Sequence, residues 1–196
     1  MELLLAATRL LGQANAAALA VGRWLGALCV GAMVVIILVQ VIYRYGLQNA
    51  LPWTEEASRF LMLWMTGLMA PTAYRRGGFV GIDMVLLLLP RMAAALLSLL
   101  LLLLSGVLLW VGMRIGWAEV MGLGGRFALP SVSVPTSLDL STWMSIPRGW
   151  MMASLAVGVT AMFIVNIELV LRAILSIFGR GRDLAPVAMA STLGAE

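Results

Sequence analysis

Long apolar runs separated by short polar breaks dominate the chain. The 20 residues of 24–43 hold one strongly polar side chain, Gln40. A helix of that length rises about 30 Å, the thickness of a hydrocarbon core. A second run, 53–74, opens with Thr54, Glu55 and Glu56, a hydroxyl cap followed by acids at the positive helix end. A third, 91–120, passes through the leucines of 96–104, interrupted only by Ser98. A fourth, 147–177, starts at Pro147, a residue tolerated in a first helical turn. Residues 79–89 are apolar but too short to span, and Pro90 ends them. They predict a helix lying along the interface. Residues 1–22 mix leucines with Glu2, Arg9, Gln13 and Asn15, which predicts another interfacial helix. Between the third and fourth runs, 121–146 is rich in Gly, Pro, Ser and Thr. It reads as an outer loop with a short helix near 137–144. Residues 179–196 read as a disordered tail.

The predicted fold is therefore an all-α integral membrane protein, with four transmembrane helices in a domain over 23–178 plus interfacial amphipathic helices. Composition agrees. Apolar residues make up 62% of the chain and charged residues 11%, far from the balance of a soluble domain. All the basic residues are Arg. With both termini inside, Arg9, Arg23, Arg75, Arg76, Arg91, Arg172, Arg180 and Arg182 are cytoplasmic. Arg44, Arg59, Arg114, Arg126 and Arg148 lie at or near the outside, which satisfies the positive-inside bias. The same orientation puts Tyr43, Tyr45, Trp53, Trp117, Trp143 and Trp150 at the outer interface.

Absences restrict the chemistry. The chain has no His and one Cys, Cys29. That removes bis-His haem, His-based proton relays and His- or Cys-centred nucleophile pairs. The glycines of 121–126 lack a P-loop Lys, so no phosphate loop is indicated. No cofactor, metal site, catalytic residue or nucleic-acid partner is expected.

Four polar groups remain. Arg44, Glu55, Glu56 and Arg59 converge across a short loop between the first two spans. Glu55 and Arg59 are i,i+4 in the favourable order. The group reads as a structural clamp, as a partner interface, or as an ion path; the apolar residues below Arg59 argue against the last. Arg75, Arg76 and Asp83 form an inner cluster that anchors topology. Glu168 and Arg172 read as a snorkelling surface pair, with Asn166 bonding across helices. Arg126, Asp139 and Arg148 stand on the outer loop as contacts for a soluble partner. Small-xxx-small steps at Gly22/Gly26, Gly112/Gly116 and Ser154/Gly158 permit close helix approach.

The run Gln40-Val41-Ile42-Tyr43-Arg44-Tyr45, then Leu51-Pro52-Trp53-Thr54-Glu55-Glu56-Ala57-Ser58-Arg59-Phe60 with Trp64 and Gly67, continues through Ala73-Tyr74-Arg75-Arg76-Gly77-Gly78 and Gly81-Ile82-Asp83. This stretch resembles the small membrane subunit of tripartite ATP-independent periplasmic (TRAP) transporters. The resemblance implies a non-catalytic subunit of the bacterial inner membrane without a substrate site of its own. It implies a large elevator-type membrane subunit as partner, driven by a sodium or proton gradient. It also implies a periplasmic substrate-binding protein that delivers a carboxylate-bearing solute, with this chain as scaffold and part of the docking surface. Arg44, Trp53, Glu55, Glu56, Arg59, Arg76 and Asp83 are the structural or interface candidates. The residues also leave open a self-sufficient small carrier or channel, which the missing polar path disfavours.

Overall fold

The computed structural model describes residues 2–49, 51–77, 89–135 and 143–178. Helix α1 is Glu2–Val41, closed by a π-helical turn, Ile42–Gly46. Helix α2 is Pro52–Arg75, α3 is Arg91–Met121 and α4 is the short Leu123–Arg126. Strands β1 (Ala128–Pro135) and β2 (Trp143–Pro147) form an antiparallel pair, and α5 is Gly149–Ile177. Among the described residues, three stretches are long and apolar enough to cross a membrane: Leu4–Gly46, Met92–Met121 and Gly149–Ile177. Helix α2 has the length, but Glu55, Glu56, Arg59, Thr66, Thr72 and Arg75 dilute its apolar character. The interfacial helix expected at 79–89 and the tail at 179–196 lie outside the described residues, apart from Leu89.

Residues 2–22, expected as an interfacial helix leading into the first span, are continuous with that span in one helix, α1. Its buried positions are Leu5, Thr8, Gly12, Asn15, Leu19, Gly22 and Gly26, spaced alternately by three and four. That spacing keeps one stripe on one side of a helix. Apart from Leu5 and Leu19 the stripe is small or polar, while Leu10, Val21, Trp24 and Leu28 are exposed. Such inversion suits lipid, where small residues allow close packing and apolar ones face the acyl chains. The outer loop differs. Trp143 and Met144, expected in a short helix, belong to β2. Ser131-Val132-Ser133-Val134 alternates with the period of a strand, which favours the hairpin. Register runs from Ala128 opposite Pro147 to Pro135 opposite Trp143, with an irregularity between Ala128 and Ser133. Pro147 thus closes a strand, and α5 begins two residues later.

Local chemistry sets the helix ends. Helix α2 begins at Pro52, whose missing N–H is needed by no carbonyl in a first turn. The Thr54 hydroxyl does not cap the helix as an acceptor; it donates to the Leu51 carbonyl at 2.8 Å. At the end of α1 the Asn49 N–H donates to the Tyr43 carbonyl at 3.0 Å, and Gln48 takes φ 50° to make that return.

The chain divides into two compact units. The first comprises Met1–Val21, Ala70–Met113 and Val159–Glu196; the second comprises Gly22–Met69 and Arg114–Gly158. In the first, Leu5 and Leu175 form a buried apolar contact and Trp110 stacks at a tilt on Phe163, 5.6 Å between ring centres. Asn166 ties three helices. Its Oδ1 accepts from the Tyr74 hydroxyl at 2.7 Å and its Nδ2 donates to the Leu102 carbonyl at 3.2 Å. Gly106 makes room: a Cβ there would stand 2.7 Å from Asn166 Nδ2.

In the second unit the small residues are used in packing. A Cβ on Gly22 would stand 3.2 Å from the Leu68 carbonyl oxygen, and one on Gly26 would stand 2.9 Å from Met69 Cγ. A Cβ on Gly116 would lie 3.3 Å from Ala156 Cα. The tightest crossing pairs Gly67 of α2 with Ser154 and Gly158 of α5.

Candidate functional site

The dominant polar site lies in the first unit and centres on Glu168. This carboxylate is fully buried, although its helix is otherwise among the most apolar in the chain. Four donors account for it. Arg75 grips it with two nitrogens, Nη2 to Oε1 at 2.7 Å and Nε to Oε2 at 3.1 Å. Arg172, one turn along the same helix, donates Nε to Oε1 at 2.9 Å. Asn15 donates Nδ2 to Oε2 at 2.7 Å. Arg75 Nη2 also donates to the Gly12 carbonyl at 2.9 Å.

Sequence places each part for a reason. Gly12 has no side chain, and a Cβ there would stand 3.1 Å from both Arg172 Nη2 and Glu168 Oε1. A side chain at that position would crowd both groups, which would have to shift by a few tenths of an ångström. Arg75 ends α2, where a cation also meets the negative end of the helix dipole. The forked contact from Arg75 fixes direction as well as charge. Arg75 and Arg172 side chains are 15% and 18% exposed. The site clamps α1, α2 and α5 within the first unit. It offers no nucleophile, and among the described residues no group of three His, Cys, Asp or Glu side chains could hold a metal.

The sequence pattern read Glu168 with Arg172 as a surface pair; the pair forms, but the acid is buried and shared with Arg75. Arg75 was assigned to a cluster with Arg76 and Asp83. Arg76 is exposed, and Asp83 lies outside the described residues. What sequence reasoning missed was the participation of Asn15 and Gly12. Their signal was present in the three-four spacing of the α1 stripe.

The expected outer group is divided differently. Glu55 and Arg59 form their i,i+4 ion pair with both side chains 68% exposed. Arg44 is exposed on the π-helical turn and, among the described residues, forms no ion pair with either acid. Glu56 is half-buried and Trp53 is 41% exposed. Arg126 and Arg148 are both exposed, and Asp139 lies outside the described residues. Arg148 is located by its backbone, whose N–H donates to the Phe127 carbonyl at 2.8 Å.

An ion pair this exposed contributes little to the chain's own stability, about 0–1 kcal/mol. Arg59→Ala should therefore leave the melting temperature of the isolated chain in detergent nearly unchanged. A fall of ten degrees or more would make the pair an internal clamp.

Among known proteins, a family model described as "Tripartite ATP-independent periplasmic transporters, DctQ component" matches residues 33–176. A search of curated proteins gives no match. The matched span contains Arg44, the Glu55–Arg59 pair, Arg75 and Glu168, and leaves out Asn15 and Gly12.

Proposed function

The chain belongs to the DctQ family, a membrane component of tripartite ATP-independent periplasmic transporters, and we propose that it scaffolds the large elevator-type subunit and helps dock a periplasmic binding protein. The family match over 33–176 carries the reading. Uptake of a carboxylate-bearing solute, driven by an ion gradient and without ATP hydrolysis, is the proposed activity of the whole complex. The described residues support a passive role: polar side chains are spent on helix-to-helix bonds, and the exposed faces of α1 and α3 are apolar. A chain that carried substrate by itself would need broken helices and a polar site at mid-membrane. We assign α2 as a fourth span, with both termini cytoplasmic and 121–146 periplasmic.

Arg44, Trp53, Glu55, Glu56 and Arg59 are the proposed contact residues for a partner, with Arg76 and Asp83 as further candidates. Their support is exposure: Arg44, Trp53, Glu55 and Arg59 are turned outward. Arg126, Asp139 and Arg148 are the proposed contacts for the binding protein, since outward charges steer weak, salt-sensitive encounters.

Co-expression with neighbouring genes tests the central point. A much larger polytopic protein should co-purify, and gradient-driven uptake in liposomes should require both chains with the binding protein. Uptake by this chain alone would defeat the scaffold reading, and an ATP requirement would defeat the transport mechanism.

Topology is checked by labelling. An impermeant thiol reagent on intact cells should modify Cys introduced at Ser137 and spare Cys introduced at Ser191. The opposite pattern would invert the assignment.

A further inference from the structure

Helix α3 carries one outward stripe along its length. Leu100, Leu103, Val107, Trp110, Arg114 and Trp117 alternate by three and four, and all six are exposed. That alternation is the seam spacing of two helices packed lengthwise. Five of the six are hydrophobic, and Arg114 is the exception. Gly116 meets Ala156 of α5, and a residue two positions before it lies about 200° round the helix. Arg114 therefore turns away from α5. Among the described residues it forms no ion pair. Glu119, on the same helix, stands about 140° round from it, on a different side. With Met92–Met121 centred in a bilayer, Arg114 lies about 11 Å from the midplane, inside a hydrocarbon half-thickness of about 15 Å.

A charge at that depth on an apolar face calls for an anion brought by a neighbour. We propose that this stripe of α3 is the seam against which a transmembrane helix of the large subunit packs, with a carboxylate of that helix pairing with Arg114. Lipid is the poorer source of the counter-charge. Side chains leave a helix leaning toward its N-terminus. Arg114 stands in the C-terminal third of α3, so its stem leans toward the middle of the span and away from the nearer headgroups. A carboxylate on a facing helix meets it at its own depth. Trp110 and Trp117, one turn to either side, shield the pair from water, as aromatic anchors do around a central charge. One polar pair in an apolar seam also fixes register, since sliding by a turn leaves both charges unpaired. The proposal rests on the scaffold reading and specifies its surface.

The test uses the full chain co-expressed and purified with the large subunit. A photo-crosslinking phenylalanine analogue is placed singly at Leu100, Leu103 or Val107. It is also placed at Leu108 or Ile115, exposed positions about 100–120° round from Arg114. Adducts to the large subunit should form from the first three positions and be lost from the last two. Arg114→Glu should lower the large subunit recovered per small subunit by about tenfold or more, the effect of turning a buried charge pair into a repulsion. Arg114→Lys should keep most of the recovery. Because Arg114 is exposed in the chain alone, Arg114→Glu should leave the helical circular dichroism and melting of the isolated chain unchanged. If that variant does not fold, the crosslinks made with Arg114 in place decide the question. Adducts from the stripe to lipid or to a second copy of this chain would overturn the proposal and leave the scaffold reading standing. A complex that tolerates Arg114→Glu would do the same. Failure of the unaltered chain to hold the large subunit at all would defeat the scaffold reading, and this surface with it.

Discussion

Glu168→Ala is expected to destabilise the chain by about 3–5 kcal/mol, the effect of removing one partner from a buried charge network. The substitution strands two guanidiniums, since Arg75 and Arg172 both meet this carboxylate. Asn15 loses its acceptor as well. The position is fully buried, so water does not replace the lost oxygens cheaply. Arg172→Gln should do less, because Arg75 still grips both oxygens and Asn15 still donates. The order of effects is therefore Glu168→Ala, then Arg75→Gln, then Arg172→Gln. Thermal unfolding of the chain in one detergent, followed by helical circular dichroism, reads that order. A Glu168→Ala protein within about 1 kcal/mol of the original would remove the clamp from this description. Combining Glu168→Ala with Arg75→Met should recover part of the loss, because the second change removes one of the stranded charges.

How far this site was legible depends on the separation of its members. Glu168 and Arg172 are four residues apart on one helix, so their pairing follows from helical geometry alone. Their burial does not, since an isolated helix gives no sign of which side meets protein. Arg75 is 93 residues from Glu168 in sequence, and nothing local connects them. The α1 stripe shows a different obstacle. Thr8, Gly12 and Asn15 look like the wet face of an interfacial helix when polarity is read as exposure. Their burial reverses the sense of the pattern, since a helix in lipid hides its small and polar positions. The Asn166 bond across helices was expected from polarity in an apolar run, and it connects to Tyr74 and Leu102. The hairpin had its own local signal in Ser131–Val134, outweighed in the reading by the surrounding Gly and Pro.

Arg44 was expected beside Glu55 and Glu56 because a short loop joins their helices. Arg44 instead stands exposed on the π-helical turn Ile42–Gly46. The three small-residue steps were legible as spacing but not as contacts. Gly22 and Gly26 meet α2, and Gly116 and Gly158 take part in contacts with α5 and α2. Spacing establishes that approach is possible; only the neighbouring helix determines which of the many glycines are used.

Gly67→Ala is the smallest change expected to open the crossing of α2 with α5 in the second unit. A Cβ on Gly67 would stand 2.3 Å from the Ser154 carbonyl oxygen and 3.0 Å from its carbon. Those are backbone atoms, so no side-chain rotation relieves the clash. A Cβ on Gly158 would stand 2.7 Å from the Gly67 carbonyl oxygen and 2.9 Å from Gly67 Cα. Pro71 explains why that carbonyl is available. It stands four residues on within α2 and has no N–H, so the Gly67 oxygen lacks its usual intrahelical donor. The sign of the expected effect separates packing from propensity. In an open helical position Gly→Ala stabilises by about 0.5–1 kcal/mol. Gly31 is such a position, with no atom within 4 Å of a Cβ placed there. Gly31→Ala should therefore raise the melting temperature slightly, while Gly67→Ala and Gly158→Ala should lower it. The overpacking loss is about 1–3 kcal/mol for each, and Gly67→Leu should be worse than either. Gly116→Ala, facing Ala156 at 3.3 Å, should fall between Gly31→Ala and Gly67→Ala. If Gly67→Ala and Gly31→Ala shift stability in the same upward direction, the two helices do not cross at the distance described.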